Sequence, residues 1–275
     1  MSKPKLVFIG GGNMASSLIG GLLEQGYPLE SIVACDPAAA SRQQLEEQYH
    51  IAIYADNNMA VEADVVILAV KPQLMNTVVT GLAATMTHNM ARQPLVISIA
   101  AGIPVAALQT WFTGDVPIVR CMPNTPALLR KGAAGLFASP QVTREQCSLA
   151  EDIISAVGTV SWFDSEADID SVTALSGSGP AYFFLVMEAM EDAGVKLGLN
   201  RDVARQLTVQ TALGAAAMAA QGQFEPAELR RRVTSPGGTT ERAVNALIAG
   251  GLPEVFEQAI QAACQRAVEM AEEAL

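Results

Sequence analysis

Short, unbroken apolar runs punctuate the first part of the chain, at 5–10, 31–36, 64–70, 94–99, 116–121 and 159–163. They are rich in Val and Ile and do not alternate with polar residues, as strands buried on both faces require. Longer stretches with helical character lie between them, at 12–25, 38–49, 72–84 and 143–156. Regular alternation of strand and helix predicts βαβ units, and so an α/β fold with a doubly wound, mostly parallel sheet. After about Phe163 the strand-like runs stop. Helical runs follow at 166–175, 179–193, 200–221, 225–233, 238–249 and 253–274. Their expected boundaries are Asn200 and Ser235 as caps, Gly194 and Gly198 as stops, and Pro253 in a first turn. Two domains are therefore expected, an α/β domain over 1–163 and an all-α domain over 164–275. Within the second, the small-sided run 212–220 suits close helix packing, either inside the chain or against a second subunit.

Composition narrows the function classes. Half of the 275 residues are hydrophobic and the net charge is −11, which argues for a well-packed globular protein and against a nucleic-acid partner. The longest basic run, Arg230-Arg231-Arg232, reads as a solvated helix face. Met1-Ser2-Lys3 runs directly into an apolar strand, so no secretory leader is expected, and no apolar stretch reaches membrane-spanning length. The cysteines, Cys35, Cys121, Cys147 and Cys264, lie far apart with no paired spacing, which suits free thiols in a cytoplasmic protein. No His/Cys/Asp/Glu cluster has metal-ligand spacing, and Asp164, Glu166, Asp168 and Asp170 read as a solvated segment.

The first apolar run ends in Gly10-Gly11-Gly12-Asn13-Met14-Ala15 and opens a helix. This is the G-x-G-x-x-G/A pattern of a dinucleotide site. Gly10 allows the tight turn, Gly12 lets the backbone approach a pyrophosphate, and Ala15 keeps helix and strand close. The helix N-terminus then offers free N–H groups to the anion. Asp36, at the end of the second run, stands where an acid holds the ribose 2′-hydroxyl of NAD, or where a cap for helix 38–49 belongs. Arg42 stands where a 2′-phosphate of NADP can be met. Lys71 and Pro72, after Ala69-Val70, and the small residues after Ile99, Ala100 and Ala101, lie at strand ends where the cofactor crevice forms.

Three further stretches have compositions unusual for plain structure: 120–126 around Met122-Pro123-Asn124-Thr125-Pro126, 175–184 around Ser176-Gly177-Ser178-Gly179-Pro180, and 233–241 around Ser235-Pro236-Gly237-Gly238-Thr239-Thr240. The last two read as Gly/Ser/Thr loops opening helices, either anion nests or capped turns. With the glycine loop and Ala69-Val70-Lys71-Pro72, these strings make the chain resemble the pyrroline-5-carboxylate reductase family over essentially its whole length. The resemblance implies a Rossmann-type dinucleotide-binding domain and an all-α C-terminal substrate-binding and dimerisation domain, in homo-oligomers built from helix-interleaved dimers. It implies NADP(H), and NAD(H) as well, bordered by Gly10–Ala15, Asn57, Ala69, Lys71, Ile99, Ala100 and Ala101. By the same resemblance Ser235, Gly237, Gly238, Thr239 and Thr240 hold the substrate carboxylate, with Ser176 and Asn124 beside the substrate, and Thr240 contacts the ring nitrogen as the catalytic group.

The implied reaction is hydride transfer to the imine carbon of 1-pyrroline-5-carboxylate, giving L-proline. An iminium carbon is electrophilic enough to need little acid catalysis, which suits a chain whose two histidines, His50 and His88, lie outside every motif. A related cyclic imine of other ring size is an alternative substrate. A hydroxyacid dehydrogenase of the same plan would carry a Lys early in helix 179–193, where this sequence has none. A non-catalytic dinucleotide-binding module has no need of the 235–240 loop.

Overall fold

The computed structural model describes residues 3–86 and 93–275. His88 lies outside the described residues. By internal contacts the chain forms two compact units, one of Met1–Ser178 with Ala263–Leu275 and the other of Gly179–Ala262.

The first unit is built on an eight-stranded sheet in the order β3-β2-β1-β4-β5-β6-β7-β8. The strands are β1 Leu6–Ile9, β2 Ile32–Cys35, β3 Ala52–Tyr54, β4 Val65–Leu68, β5 Leu95–Ser98, β6 Ile118–Met122, β7 Gly132–Ala138 and β8 Gly158–Trp162. Pairing is parallel from β3 through β6, antiparallel between β6 and β7, and parallel again between β7 and β8. The central strands β1, β2, β4 and β5 are buried along their whole length. Alternate residues feed two cores: Leu6, Phe8, Ile67 and Ile97 pack on one face, and Val7, Ile9, Leu68 and Val96 on the other. This is why their sequences read as continuous apolar runs.

The helices of this unit are α1 Asn13–Glu24, α2 Ala39–Tyr49, α3 Pro72–Met86, α4 Val105–Phe112, α5 Arg144–Ser155 and the short α6 Asp168–Val172. Three elements go beyond the sequence expectation. β3 is a three-residue edge strand, too short to leave a pattern. β7 reads Gly-Ala-Ala-Gly-Leu-Phe-Ala, with none of the β-branched residues that mark strands. Its glycines are needed, because a Cβ on Gly135 would lie 2.8 Å from Val172 of α6 and one on Gly132 3.0 Å from the Val157 carbonyl oxygen. α4 follows Pro104 in a stretch whose apolar residues show no clear strand or helix signal.

The second unit contains α7 Gly179–Lys196, α8 Arg201–Ala220, α9 Pro226–Arg232, α10 Thr239–Ala249 and the first part of α11 Leu252–Glu273. Asn200 caps α8, accepting from the Asp202 N–H at 2.9 Å. Gly198, at φ +99°, follows α7, whereas Gly194 lies within that helix. Ser235 is not the cap of α10. That position belongs to Gly238, whose N–H donates to the Ser235 carbonyl. Large apolar side chains on these helices face outward, with Phe183 67%, Leu185 65% and Leu213 62% exposed.

Candidate functional site

At the carboxyl ends of β1, β2 and β4 lies a cavity of about 510 Å³. Gly10, Gly12, Asp36, Asn57, Ala69, Val70 and Lys71 all line it. Gly10 holds φ +100°, and a Cβ there would meet the Ala69 carbonyl oxygen at 2.6 Å, so this turn accepts only glycine. Gly11 packs on Leu45, and Ala15 is fully buried between helix and sheet. Gly12 differs from both. It starts α1, and a Cβ built on it meets nothing within 4 Å. No side chain caps this helix. Its first N–H groups and the positive end of its dipole therefore stand beside open space, an environment that suits a phosphate. The residues present fit a dinucleotide.

The wall opposite α1 is set by Asp36. Its carboxylate accepts from the Gly11 N–H at 2.8 Å and from the Ala38 N–H at 2.8 Å. It does not cap α2, whose cap position is Ala38. Arg42 folds back on the same turn, donating to the carbonyls of Asp36 at 2.9 Å and Pro37 at 2.8 Å, and it is not among the cavity-lining side chains. Ser41, one residue earlier, does line the cavity. Sequence reasoning passed it over, although it shares the β2–α2 turn with the two charged candidates. Cys35 lies behind Asp36, and burial, aided by the nearby Asp56 charge, pushes its thiol up to about 12, so it stays neutral wall material.

Pro72 opens α3 directly after Lys71. The remaining cofactor candidates, Ile99, Ala100 and Ala101, continue from the end of β5, where Ile99 N–H donates to the Leu68 carbonyl at 3.1 Å. Gly102 follows with φ +69°, and Met270 packs against the spot where its Cβ would be. Asn13 and Met14 form the first turn of α1.

The other motifs fall in two places. Asn124 donates its amide to the Ser176 carbonyl and accepts from the Ala133 N–H, both at 2.9 Å, so both ends of its side chain brace the unit. Ser176 Oγ donates to the Val172 carbonyl. The loop expected between the helical runs 166–175 and 179–193 is instead helical. Thr173–Gly177 form a π-helical turn in which the Ser178 N–H reaches back to the Thr173 carbonyl at 2.8 Å, and α7 begins immediately after. The acidic segment is likewise not fully solvated. Asp170 and Glu166 both meet the buried Arg120 guanidinium, at 3.0 and 3.1 Å.

The 235–240 loop lies in the second unit. Gly237 holds φ +72° and donates its N–H to the Glu241 carboxylate at 2.8 Å. Gly238 heads α10 without a side-chain cap, and Thr239 and Thr240 form its first turn. An acid thus already rests on one amide of this loop, and the rest of the helix start carries the same dipole.

A glycine-opened helix at the carboxyl edge of a parallel sheet is the dinucleotide-binding arrangement of Rossmann type, and the chain carries an all-helical unit as well. Two family models match the chain: one described as NADP oxidoreductase, coenzyme F420-dependent, over residues 5–102, and one described as pyrroline-5-carboxylate reductase dimerisation, over 166–270. The chain is 55% identical to the pyrroline-5-carboxylate reductase of Pseudomonas aeruginosa, with 99% of each chain covered. It superposes with TM-score 0.92 on the solved pyrroline-5-carboxylate reductase of Coxiella burnetii, at 43% identity over 98% of each chain. A Plasmodium falciparum pyrroline carboxylate reductase solved with NADP bound gives TM-score 0.84 at 28% identity, covering 98% of this chain and 99% of that one. The chain belongs to the pyrroline-5-carboxylate reductase family.

Proposed function

We propose that this chain reduces 1-pyrroline-5-carboxylate to L-proline, using NADPH and also accepting NADH. The observation that carries the reading is the full-length likeness to named reductases, joined to the crevice in which Gly12 leaves the α1 N-terminus open. When bound, the reduced nicotinamide supplies the hydride that the imine carbon receives. Residues 1–163 hold the dinucleotide: Gly10–Ala15 take its pyrophosphate, Asp36 and Asn57 its adenosine ribose, and Ala69, Val70, Lys71, Pro72, Ile99, Ala100 and Ala101 the rest. Asp36 supports the use of NADH, because its fixed carboxylate accepts from ribose hydroxyls and repels a 2′-phosphate.

Residues 164–275 bind substrate and dimerise. Ser235, Gly237, Gly238 and Thr239 form the loop that holds the substrate carboxylate at the head of α10, where it takes the place of Glu241 on the Gly237 N–H, and Thr240 places its hydroxyl at the ring nitrogen. Asn124 and Ser176 position the substrate side through the hydrogen bond they share. With no strong acid required, the protein's contribution is orientation of the two reactants, worth several kcal/mol of barrier. The outward apolar side chains of the helical unit support a homo-oligomer whose dimers interleave these helices. Among the described residues no helix is long and apolar enough to cross a membrane, and free thiols fit a cytoplasmic location.

The test follows oxidation of NADPH and NADH at 340 nm with 1-pyrroline-5-carboxylate, its six-membered analogue, or no substrate, and reduction of NAD(P)⁺ with 2-hydroxy acids. Pyrroline-dependent oxidation of either cofactor is expected. Its absence, in protein that still binds NADPH by calorimetry, refutes the reading.

A further inference from the structure

The segment Ile99-Ala100-Ala101-Gly102-Ile103-Pro104 joins β5 to α4 and carries no polar side chain of its own. Nothing within it can fix its path by hydrogen bonding except the backbone. Its first residue is tied by the Ile99 N–H to Leu68. Its far end runs into Val105, the first residue of α4, whose cap position is Pro104 and which has no local side-chain cap. The Val105 N–H donates instead to the Glu166 Oε1 at 2.8 Å, from a segment far along the chain. That same oxygen accepts from Arg120 Nη1 at 3.1 Å, and Arg120 Nη2 reaches Asp170 at 3.0 Å. The Arg120 side chain is 3% exposed and that of Glu166 26%. A buried cation of this kind is weak evidence of stabilisation but a strong constraint on where its partners sit. On the other side of the loop, Gly102 abuts Met270.

We propose that Glu166 is a positioning residue for the reduction, setting the path of residues 99–104 through the Val105 N–H while Arg120 holds its carboxylate in place. This rests on the reading that Ile99, Ala100 and Ala101 border the cofactor. Glu166 touches neither cofactor nor substrate in this scheme. It fixes the backbone against which the reactive half of the dinucleotide lies, and the hydride donor's distance to the imine carbon depends on that backbone.

The experiment compares Glu166→Ala with Glu166→Gln on the intact oligomer. The readouts are kcat, KM for NADPH, and the primary deuterium isotope effect from NADPH deuterated at the transferring position. Sedimentation and thermal unfolding control for folding. Asp170 still faces Arg120 in both variants, so the guanidinium keeps a counter-charge. Glu166→Ala is expected to lose on the order of tenfold in kcat/KM, with a larger isotope effect, because small misplacements of reacting groups are costly. Glu166→Gln, whose amide oxygen still accepts from Val105, is expected to recover most of the activity. A folded Glu166→Ala protein with unchanged kinetics and isotope effect overturns the proposal, as does a Gln variant as impaired as the Ala variant. If Glu166→Ala does not fold, Met270→Ala frees the same loop from its other side. Reproducing the kinetic signature there supports the proposal, and unchanged kinetics overturn it. Ala101→Val separates the two layers of argument. If it leaves KM for NADPH unchanged, the loop does not border the cofactor, and the reading of the crevice fails. If it raises that KM while Glu166→Ala is silent, only the positioning role fails.

Discussion

Gly12→Val separates the fold from cofactor binding. The backbone at Gly12, φ −73° and ψ −177°, suits any residue, and a Cβ there meets no protein atom within 4 Å. Loss of a good cap residue at the start of α1 costs about 1 kcal/mol of stability. Binding is expected to suffer far more, because on the proposed placement the new side chain stands where the pyrophosphate approaches the helix. Two charge-assisted N–H contacts are worth about 1.5–3 kcal/mol each, and the helix dipole adds about 0.3–2 kcal/mol. Forfeiting about 3–4 kcal/mol of this weakens binding on the order of 10²–10³-fold, at about 1.4 kcal/mol per decade. Calorimetric titration with NADPH and thermal unfolding, run on the same preparation, measure the two effects. Gly10→Ala provides the contrast: with φ +100° and the Ala69 carbonyl in the way, it is expected to lower stability as well as binding. A Gly12→Val protein that binds NADPH within threefold of the wild type refutes the placement of the pyrophosphate at α1.

Thr240→Ala is expected to lower kcat/KM for 1-pyrroline-5-carboxylate on the order of tenfold to 10³-fold, the lower end of general-acid effects, with unfolding temperature unchanged. A loss under twofold removes Thr240 from the mechanism. Asp36→Ser removes a unit charge whose repulsion of a 2′-phosphate is worth about 1–3 kcal/mol, so the ratio of kcat/KM for NADPH over NADH is expected to rise about tenfold or more. An unchanged ratio means that Asp36 does not face the ribose. Burial and then the Asp56 charge raise the Cys35 thiol to about 12 from an ordinary value of 9.0, so the folded state favours the neutral form. That stabilisation is whole below pH 9 and is lost as pH climbs toward 12, while the unfolded thiol ionises first. The urea midpoint is expected to fall between pH 8 and 11, and to fall less in Cys35→Ala. Equal declines in the two proteins contradict the assignment.

What could be read from the sequence depended on whether the signal was local. β1, β2, β4 and β5 announced themselves because both of their faces are buried, and the glycine loop because Gly10 and Ala15 answer to distinct steric demands while Gly12 leaves the helix start open. β7 stayed hidden, since Val172 crowds Gly135 and Ala127 crowds Gly132, and glycine stands where a strand usually shows branched residues. Glu166 and Asp170 looked solvated because their partner, Arg120, is 46 and 50 residues away. The segment 176–178 looked like a loop because its glycine and serines are those of a turn. It belongs in fact to a wide helical turn that the Ser178 N–H closes and Asn124 anchors from another part of the unit. Arg42 had the composition of a phosphate ligand, but two backbone carbonyls within its own turn already claim its guanidinium.

The closing stretch of α11 belongs to the unit that the chain begins. Ala267 is buried, Met270 backs Gly102, and Ala274 packs against the core face that holds Ile103 and Phe112. During synthesis the first unit therefore emerges early but completes this face of its core only once the end of α11 has been made. A nascent chain stalled before Ala267 leaves the earliest-made unit as the unfinished one.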